Sequence, residues 1–320
     1  MAEGCTTPGP SPPPSTSTRL VAPIRGVTLL TGRLGHTRIV VATVIEEELA
    51  AAKRILRCNV ASTPGYWGKK RGNDHDLLVT RIARSNTPAA LSVRDLLEAW
   101  RPNFVVLCGI AGGVGTWSEK GTRKTWHGPR EGDVVVGQFV HYADYAKHVD
   151  NATKMRYFPL DHPPSRLVET LLDELQASDK WRKAIDIDRP GRGSQSPHIL
   201  GGEFLATESL AGSPKREAQR YMLRFFENAV AVDMESAGVA RSIHEYRREV
   251  LYNPRWISVR GISDHVWAAP DDAQDDFTES KNQAQRERFR GYAAATAAAA
   301  TKEIVRLLKR FERDLLVGTG

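Results

Sequence analysis

The sequence predicts an α/β fold, with one central mixed β-sheet flanked by helices. Short runs of β-branched and apolar residues recur along the chain, and segments of helical periodicity fall between them. The 320 residues, 41% hydrophobic and 26% charged, are enough for one large domain with a sizeable core. Two acid-bearing segments, Val232-Asp233-Met234-Glu235-Ser236 and Arg260-Gly261-Ile262-Ser263-Asp264, each follow a run of strand formers. In α/β sheets ligands bind at the carboxyl ends of strands, so both segments are expected at one ligand-binding edge.

Residues 1–35 read as a disordered or loosely attached segment, because Thr6 to Pro14 is almost all Pro, Ser, Thr and Gly. The domain is expected over 36–316. Ile39 to Val44 is a short apolar run and predicts a strand; Glu46 to Leu56 has helical character. Leu77 to Ile82 alternates as a strand, Ala89 to Trp100 reads as a helix, and Phe104 to Cys108 as a buried strand. Asp133 to Gly137 is a further strand, and Leu167–Gln176 and Ser213–Phe226 are helical. The last helix is the clearest. Ile304, Leu307, Leu308, Phe311 and Leu315 share one apolar face, and the alanine-rich stretch Tyr292–Ala300 permits close packing.

The net charge of +7 and pI near 9.4 point to an anionic partner. No RNA-recognition, helix-turn-helix or zinc-finger pattern supports direct nucleic-acid binding, which leaves a phosphorylated small molecule or charge that serves solubility alone. No apolar run is long enough to span a membrane, and no secretory signal pattern opens the chain. Cys5, Cys58 and Cys108 are odd in number and lack metal-like spacing. A reduced, cytoplasmic setting is expected, with no metal site and no cofactor. Positive charge clusters in two segments, Tyr66–Gly72 and Trp117–Arg130. Lys69, Lys70, Arg71, Arg123, Lys124 and Arg130 are the candidate phosphate ligands there; the alternative is a pair of solvated loops.

Cys108-Gly109-Ile110-Ala111-Gly112-Gly113-Val114-Gly115 reads as a glycine-rich turn after a buried strand. Glycines let backbone approach a ligand closely and expose N–H groups to it. The stretch matches neither a phosphate-binding Gly-Lys-Ser/Thr loop nor the Gly-x-Gly-x-x-Gly dinucleotide pattern.

Taken in order, Val44-Ile45-Glu46-Glu47-Glu48, Gly109-Ile110-Ala111-Gly112-Gly113, Glu131-Gly132-Asp133-Val134-Val135-Val136, Val232-Asp233-Met234-Glu235-Ser236-Ala237-Gly238 and Val259-Arg260-Gly261-Ile262-Ser263-Asp264 resemble the purine nucleoside phosphorylase/nucleosidase superfamily. The resemblance covers roughly residues 37–312. The tail, Ile262-Ser263-Asp264 with Lys281-Asn282 and Gly291 to Ala299, is similar to the subgroup found as effector domains of bacterial anti-phage systems and fungal immune receptors. That subgroup implies cleavage of the N-glycosidic bond of adenine nucleosides or nucleotides, ATP included. The resemblance further implies that Asp264 protonates N7 of the leaving purine, with Ser263 orienting it. Glu235 would bind the ribose hydroxyls, with Met234 against the sugar. Glu48 would position the attacking water, aided by Arg260. Ala111, Gly112 and Gly113 would surround ribose and base. Leu210 falls near the position of a base-stacking aromatic in the methylthioadenosine nucleosidases and departs from it.

The chemistry accounts for these residue types. A purine anion leaves poorly unless N7 is protonated, so an acid buried enough to stay neutral must sit beside it. Across the sugar a second carboxylate must stay ionised to take a proton from water, the logic of inverting glycosidases. An arginine beside Glu48 would hold it charged, and Glu235 can accept two hydroxyl bonds. The acids Glu46, Glu47 and Glu48 stand where a phosphorylase would hold free phosphate, and they would repel it. The expected activity is therefore a purine nucleosidase acting on an adenine nucleotide or nucleoside, ATP favoured, in a homo-oligomer. The alternatives are a methylthioadenosine/adenosylhomocysteine-type nucleosidase, a purine nucleoside phosphorylase, and a non-catalytic nucleotide sensor.

Overall fold

The computed structural model describes residues 37–68, 70–71, 74–120, 123–150, 152–191, 195–209, 217–247, 252–267 and 279–317. The 1–35 segment, Lys69 and Leu210 lie outside the described residues. The first element, β1 (Ile39–Thr43), is completely buried and leads into α1 (Glu46–Leu56). Short strands follow, β2 (Val60–Ser62), β3 (Gly65–Trp67), β4 (Lys70–Arg71) and β5 (Asp74–His75), and then β6 (Leu77–Arg81) and α2 (Asn86–Trp100). The long β7 (Phe104–Lys120) turns into β8 (Arg123–His127) and is followed by β9 (Val134–Tyr142). After the hairpin β10 (Ala146–Val149) and β11 (Ala152–Met155) come α3 (Ser165–Gln176), β12 (Ile199–Ala206) and α4 (Glu217–Phe225). The chain closes with β13 (Ala229–Asp233), α5 (Ser236–Tyr246), β14 (Arg255–Trp267) and α6 (Glu279–Val317).

The main sheet is mixed, with strand order β13-β12-β9-β14-β7-β1-β6-β3-β2. Alternation along β1 explains its two apolar faces. Ile39 and Val41 pack with α1, α3 and α6, whereas Val40 and Ala42 pack with α2 and α5. The α/β architecture expected from the sequence is the one observed. No helix among the described residues is long and apolar enough to cross a membrane.

The glycine-rich stretch is not a turn. Gly109 to Gly115 lies inside β7, paired parallel to β14 from Val259↔Cys108 to Trp267↔Gly115. Near its middle, Gly112 and Gly113 also pair antiparallel with Val232 and Ala231 of β13, which curls the sheet back on itself. Strands on both sides recruit a glycine run that lacks strand propensity, so tertiary pairing overrides the local signal. The second departure is β14, which continues past Ile262 to Trp267. Its register with β7 shifts between Ile262 and Asp264, and such an irregularity re-aims the side chains beyond it. Both β12, which carries Gly201-Gly202, and α5 went unread in the sequence.

Candidate active site

Four segments build most of a cavity of about 410 Å³, from buried acids on three of them and polar and basic side chains on the fourth. The first is the junction of β1 and α1. Glu48, the third residue of α1, reaches back so that Oε2 accepts the backbone N–H of Val44 at 2.7 Å and of Ile45 at 3.0 Å. These are otherwise orphan donors of a helix start. Its Oε1 accepts the N–H of Ile110 at 2.8 Å, which ties α1 to β7. The carboxylate is buried, and desolvation pushes its pKa up despite Arg260 and the three N–H groups, which act the other way.

The second segment is the end of β13. Asp233 is capped by the N–H and hydroxyl of Ser236, and the guanidinium of Arg260 approaches Asp233 Oδ2 with Nη2 at 2.7 Å and Nε at 3.0 Å. Arg260 Nη2 also donates to Glu235 Oε2 at 3.3 Å, and Glu235 Oε1 accepts the Ser85 N–H at 3.2 Å. Arg260 is fully buried on β14. One cation therefore stands among three buried acids, Glu48, Asp233 and Glu235. Burial pushes Glu235 up to about 7, with Asp233 adding to the shift and Arg260 opposing it.

The third is β14 itself. Asp264 Oδ1 accepts the Ser263 hydroxyl at 2.5 Å and Oδ2 accepts the Asn282 amide at 3.2 Å. Burial raises the Asp264 pKa; the two hydrogen bonds and Arg286 oppose it. The fourth is α6. Asn282 bonds Asp264, while Arg286 and Arg290, one and two turns on, line the cavity.

The structure brings Glu48, Ala111, Gly112, Met234, Glu235, Ser263 and Asp264 to this one cavity. Arg260 lies directly behind it. Gly113 does not line it; a side chain there would meet Ile262 and Pro129 instead. Arg260 departs from the expected pairing with Glu48. Its hydrogen bonds go to Asp233 and Glu235, so burial, rather than a cation, dominates at Glu48. Arg130 lines a separate cleft with His127, Asp133 and His198, and its guanidinium donates to Gln195 at 3.1 Å. The backbones of Lys70, Arg71, Arg123 and Lys124 lie in β4 and β8; their side chains, like Lys69 and Leu210, are outside the described residues. None of the described lining residues is aromatic.

Sequence reasoning quoted Asp233 and Asn282 in its motifs without giving either a role, and missed Arg84, Arg286 and Arg290. Asn282, Arg286 and Arg290 carried a legible signal, a four-residue polar spacing on one helix. Arg84 had none, because only the packing of α2 brings the loop before it to Glu235.

No profile of a known protein family matches the chain. It is 29% identical over 237 residues to the 5′-methylthioadenosine/S-adenosylhomocysteine nucleosidase of Bacillus thuringiensis, covering 71% of this chain and 85% of that one. The enzyme of the same name from Bacillus licheniformis is 24% identical, over 74% of this chain and 87% of that one. The crystal structure of the Neisseria meningitidis nucleosidase of that name, in complex with methylthio-immucillin-A, superposes with a TM-score of 0.58 at 18% identity, covering 84% of this chain and 98% of that chain. In sequence and in fold the chain is similar to these members of the purine nucleoside phosphorylase/nucleosidase superfamily. The fold is also that of futalosine hydrolase from Helicobacter pylori, with a TM-score of 0.57 at 14% identity, covering 84% of this chain and 97% of that one.

Proposed function

We propose that the chain is a purine nucleosidase that hydrolyses the N-glycosidic bond of an adenine nucleotide or nucleoside, with ATP favoured. The observation that carries this reading is a neutralisable acid, Asp264, and a backbone-held carboxylate, Glu48, lining one cavity with Glu235. The bond between C1′ and N9 breaks as the proton of Asp264 passes to N7, so the base leaves neutral. Water bonds to C1′ and its proton passes to Glu48. A carboxylate raised by burial toward the working pH is a better base than a fully solvated one. Glu235, anchored by Ser85 and Arg260, accepts the ribose hydroxyls and fixes the sugar. The three N–H bonds to Glu48 hold that base in one orientation before substrate arrives.

A methylthioadenosine/adenosylhomocysteine nucleosidase is the second reading, and the names of the curated relatives favour it. A panel of adenosine, methylthioadenosine, AMP and ATP, followed by chromatography for free adenine, separates the two. Release from none of them would overturn both. A role as an effector of anti-phage defence goes with the nucleotide reading and rests on the Lys281-Asn282 and Gly291 to Ala299 tail. A cytoplasmic homo-oligomer goes with it too. Phe139, Tyr157 and Phe225 are exposed around one cleft, an apolar surface suited to a second copy. Size-exclusion chromatography with light scattering tests this, and a monomer would sink it.

A further inference from the structure

Acids predominate in the depth of the cavity, but at its rim Arg84, Arg286 and Arg290 stand against only Glu47 and Glu287. Glu48, Asp233 and Glu235 surround Arg260. At the rim, Glu47 pairs with Arg290 at 3.1 Å, and Arg290 also meets Glu287 at 3.2 Å. Asp264 is pushed toward its neutral form by burial. Two lining cations remain, Arg84 and Arg286. Among the described residues neither guanidinium forms a hydrogen bond or an ion pair. Arg84 immediately precedes Ser85, whose N–H holds Glu235, so it stands beside the ribose-binding carboxylate. Arg286 lies one turn along α6 from Asn282, which holds Asp264.

We infer that Arg84 and Arg286 form the subsite for the 5′-phosphate chain of a phosphorylated nucleoside, in place of the basic β7–β8 hairpin. The inference rests on the nucleosidase reading for what happens to the bound molecule. Its chemistry is direct. A ribose whose hydroxyls are on Glu235 has its remaining arm, the 5′ carbon, free to extend toward the rim. A phosphate there meets guanidinium donors that no carboxylate occupies.

The test uses the full chain, with adenosine and ATP as substrates. Arg84→Leu/Arg286→Leu is compared with Arg123→Ala/Lys124→Ala. The ratio of kcat/KM for ATP to that for adenosine should fall at least about tenfold in the first double variant, the equivalent of one lost charge-assisted contact, and hold in the second. An unmoved ratio in the first, or a fall only in the second, overturns the subsite. Arg84→Lys/Arg286→Lys keeps the charge and serves if the leucine variant does not fold. Calorimetric binding of ATP and adenosine in an Asp264→Asn background reads the subsite without turnover. Arginine-dependent ATP binding with no adenine ever released by the wild type leaves the subsite standing and sinks the nucleosidase reading. Adenine release from both substrates with an arginine-independent ratio does the reverse.

Discussion

At Asp264 two hydrogen bonds favour the ionised form and burial favours the neutral one, with burial the larger effect. The balance lets a carboxyl act as an acid at neutral pH. Asp264→Asn preserves the shape and the contact with Ser263 but has no acidic proton, so turnover should drop by about 10²–10⁴-fold with the fold intact. Wild-type rates of base release from that variant would contradict the assignment. Glu235 makes a second prediction, and its sign can be worked out. Its folded-state pKa of about 7 lies above the ordinary value of 4.5, so between them the folded protein holds a proton that the unfolded chain has lost. The stability it contributes is complete below 4.5 and is lost as pH rises through about 7. In the proposed role Glu235 binds ribose as the carboxylate, so KM should fall over the same rise. Melting temperature and KM measured across that window should therefore decline together, and Glu235→Gln should flatten the share of both slopes that comes from this group.

Element packing decides where these groups stand. A Cβ on Gly109 would run into Glu48 Oε1, held by the Ile110 N–H, and Arg260 Nη1, on a guanidinium held through Nε and Nη2. Gly109→Ala should displace the pair and cost about 10²-fold in kcat, the penalty of small misplacements at a reacting centre, while the thermal midpoint changes little. An unaltered kcat would mean that Glu48 and Arg260 are not positioned as described. Gly261 is a structural counterpart. Its missing Cβ admits the Ala293 carbonyl of α6 against β14. The two nearest atoms belong to the Ala293 backbone, which cannot swing aside. Gly261→Ala should destabilise at or above the upper end of the usual overpacking range of about 1–3 kcal/mol, read as a lower denaturation midpoint. The alanine stripe of α6 serves the same approach, since Ala293 to Ala300 is buried almost throughout.

On the scale of the molecule, β1, β13 and β14 are far apart in sequence but all pair with β7, and the acids in or just beyond them meet at one cavity. The acids of α1 leave no cationic cradle beside Glu48 for free phosphate; Arg260 is engaged with Asp233 and Glu235. Adenine release should therefore proceed at full rate in phosphate-free buffer, and ¹⁸O-labelled water should deliver its oxygen to C1′ of the sugar. A ribose 1-phosphate product would establish a phosphorylase instead.

The sequence by itself determined the strand–helix alternation, because burial on two faces writes continuous apolar runs for β1, β7 and β14 and a 3.6-residue period for α1, α2 and α6. Its short ordered motifs also singled out Asp264, Glu235 and Glu48, which the structure brings to one cavity. Tertiary structure alone decided that the glycine run is strand, because the hydrogen bonds that make it so come from β14 and β13. It decided that Arg260 serves Asp233 and Glu235, a contact set by the curl of the sheet. It also chose which arginines reach the cavity. Charge density in a sequence marks basic segments, but only packing says which cations line the cavity.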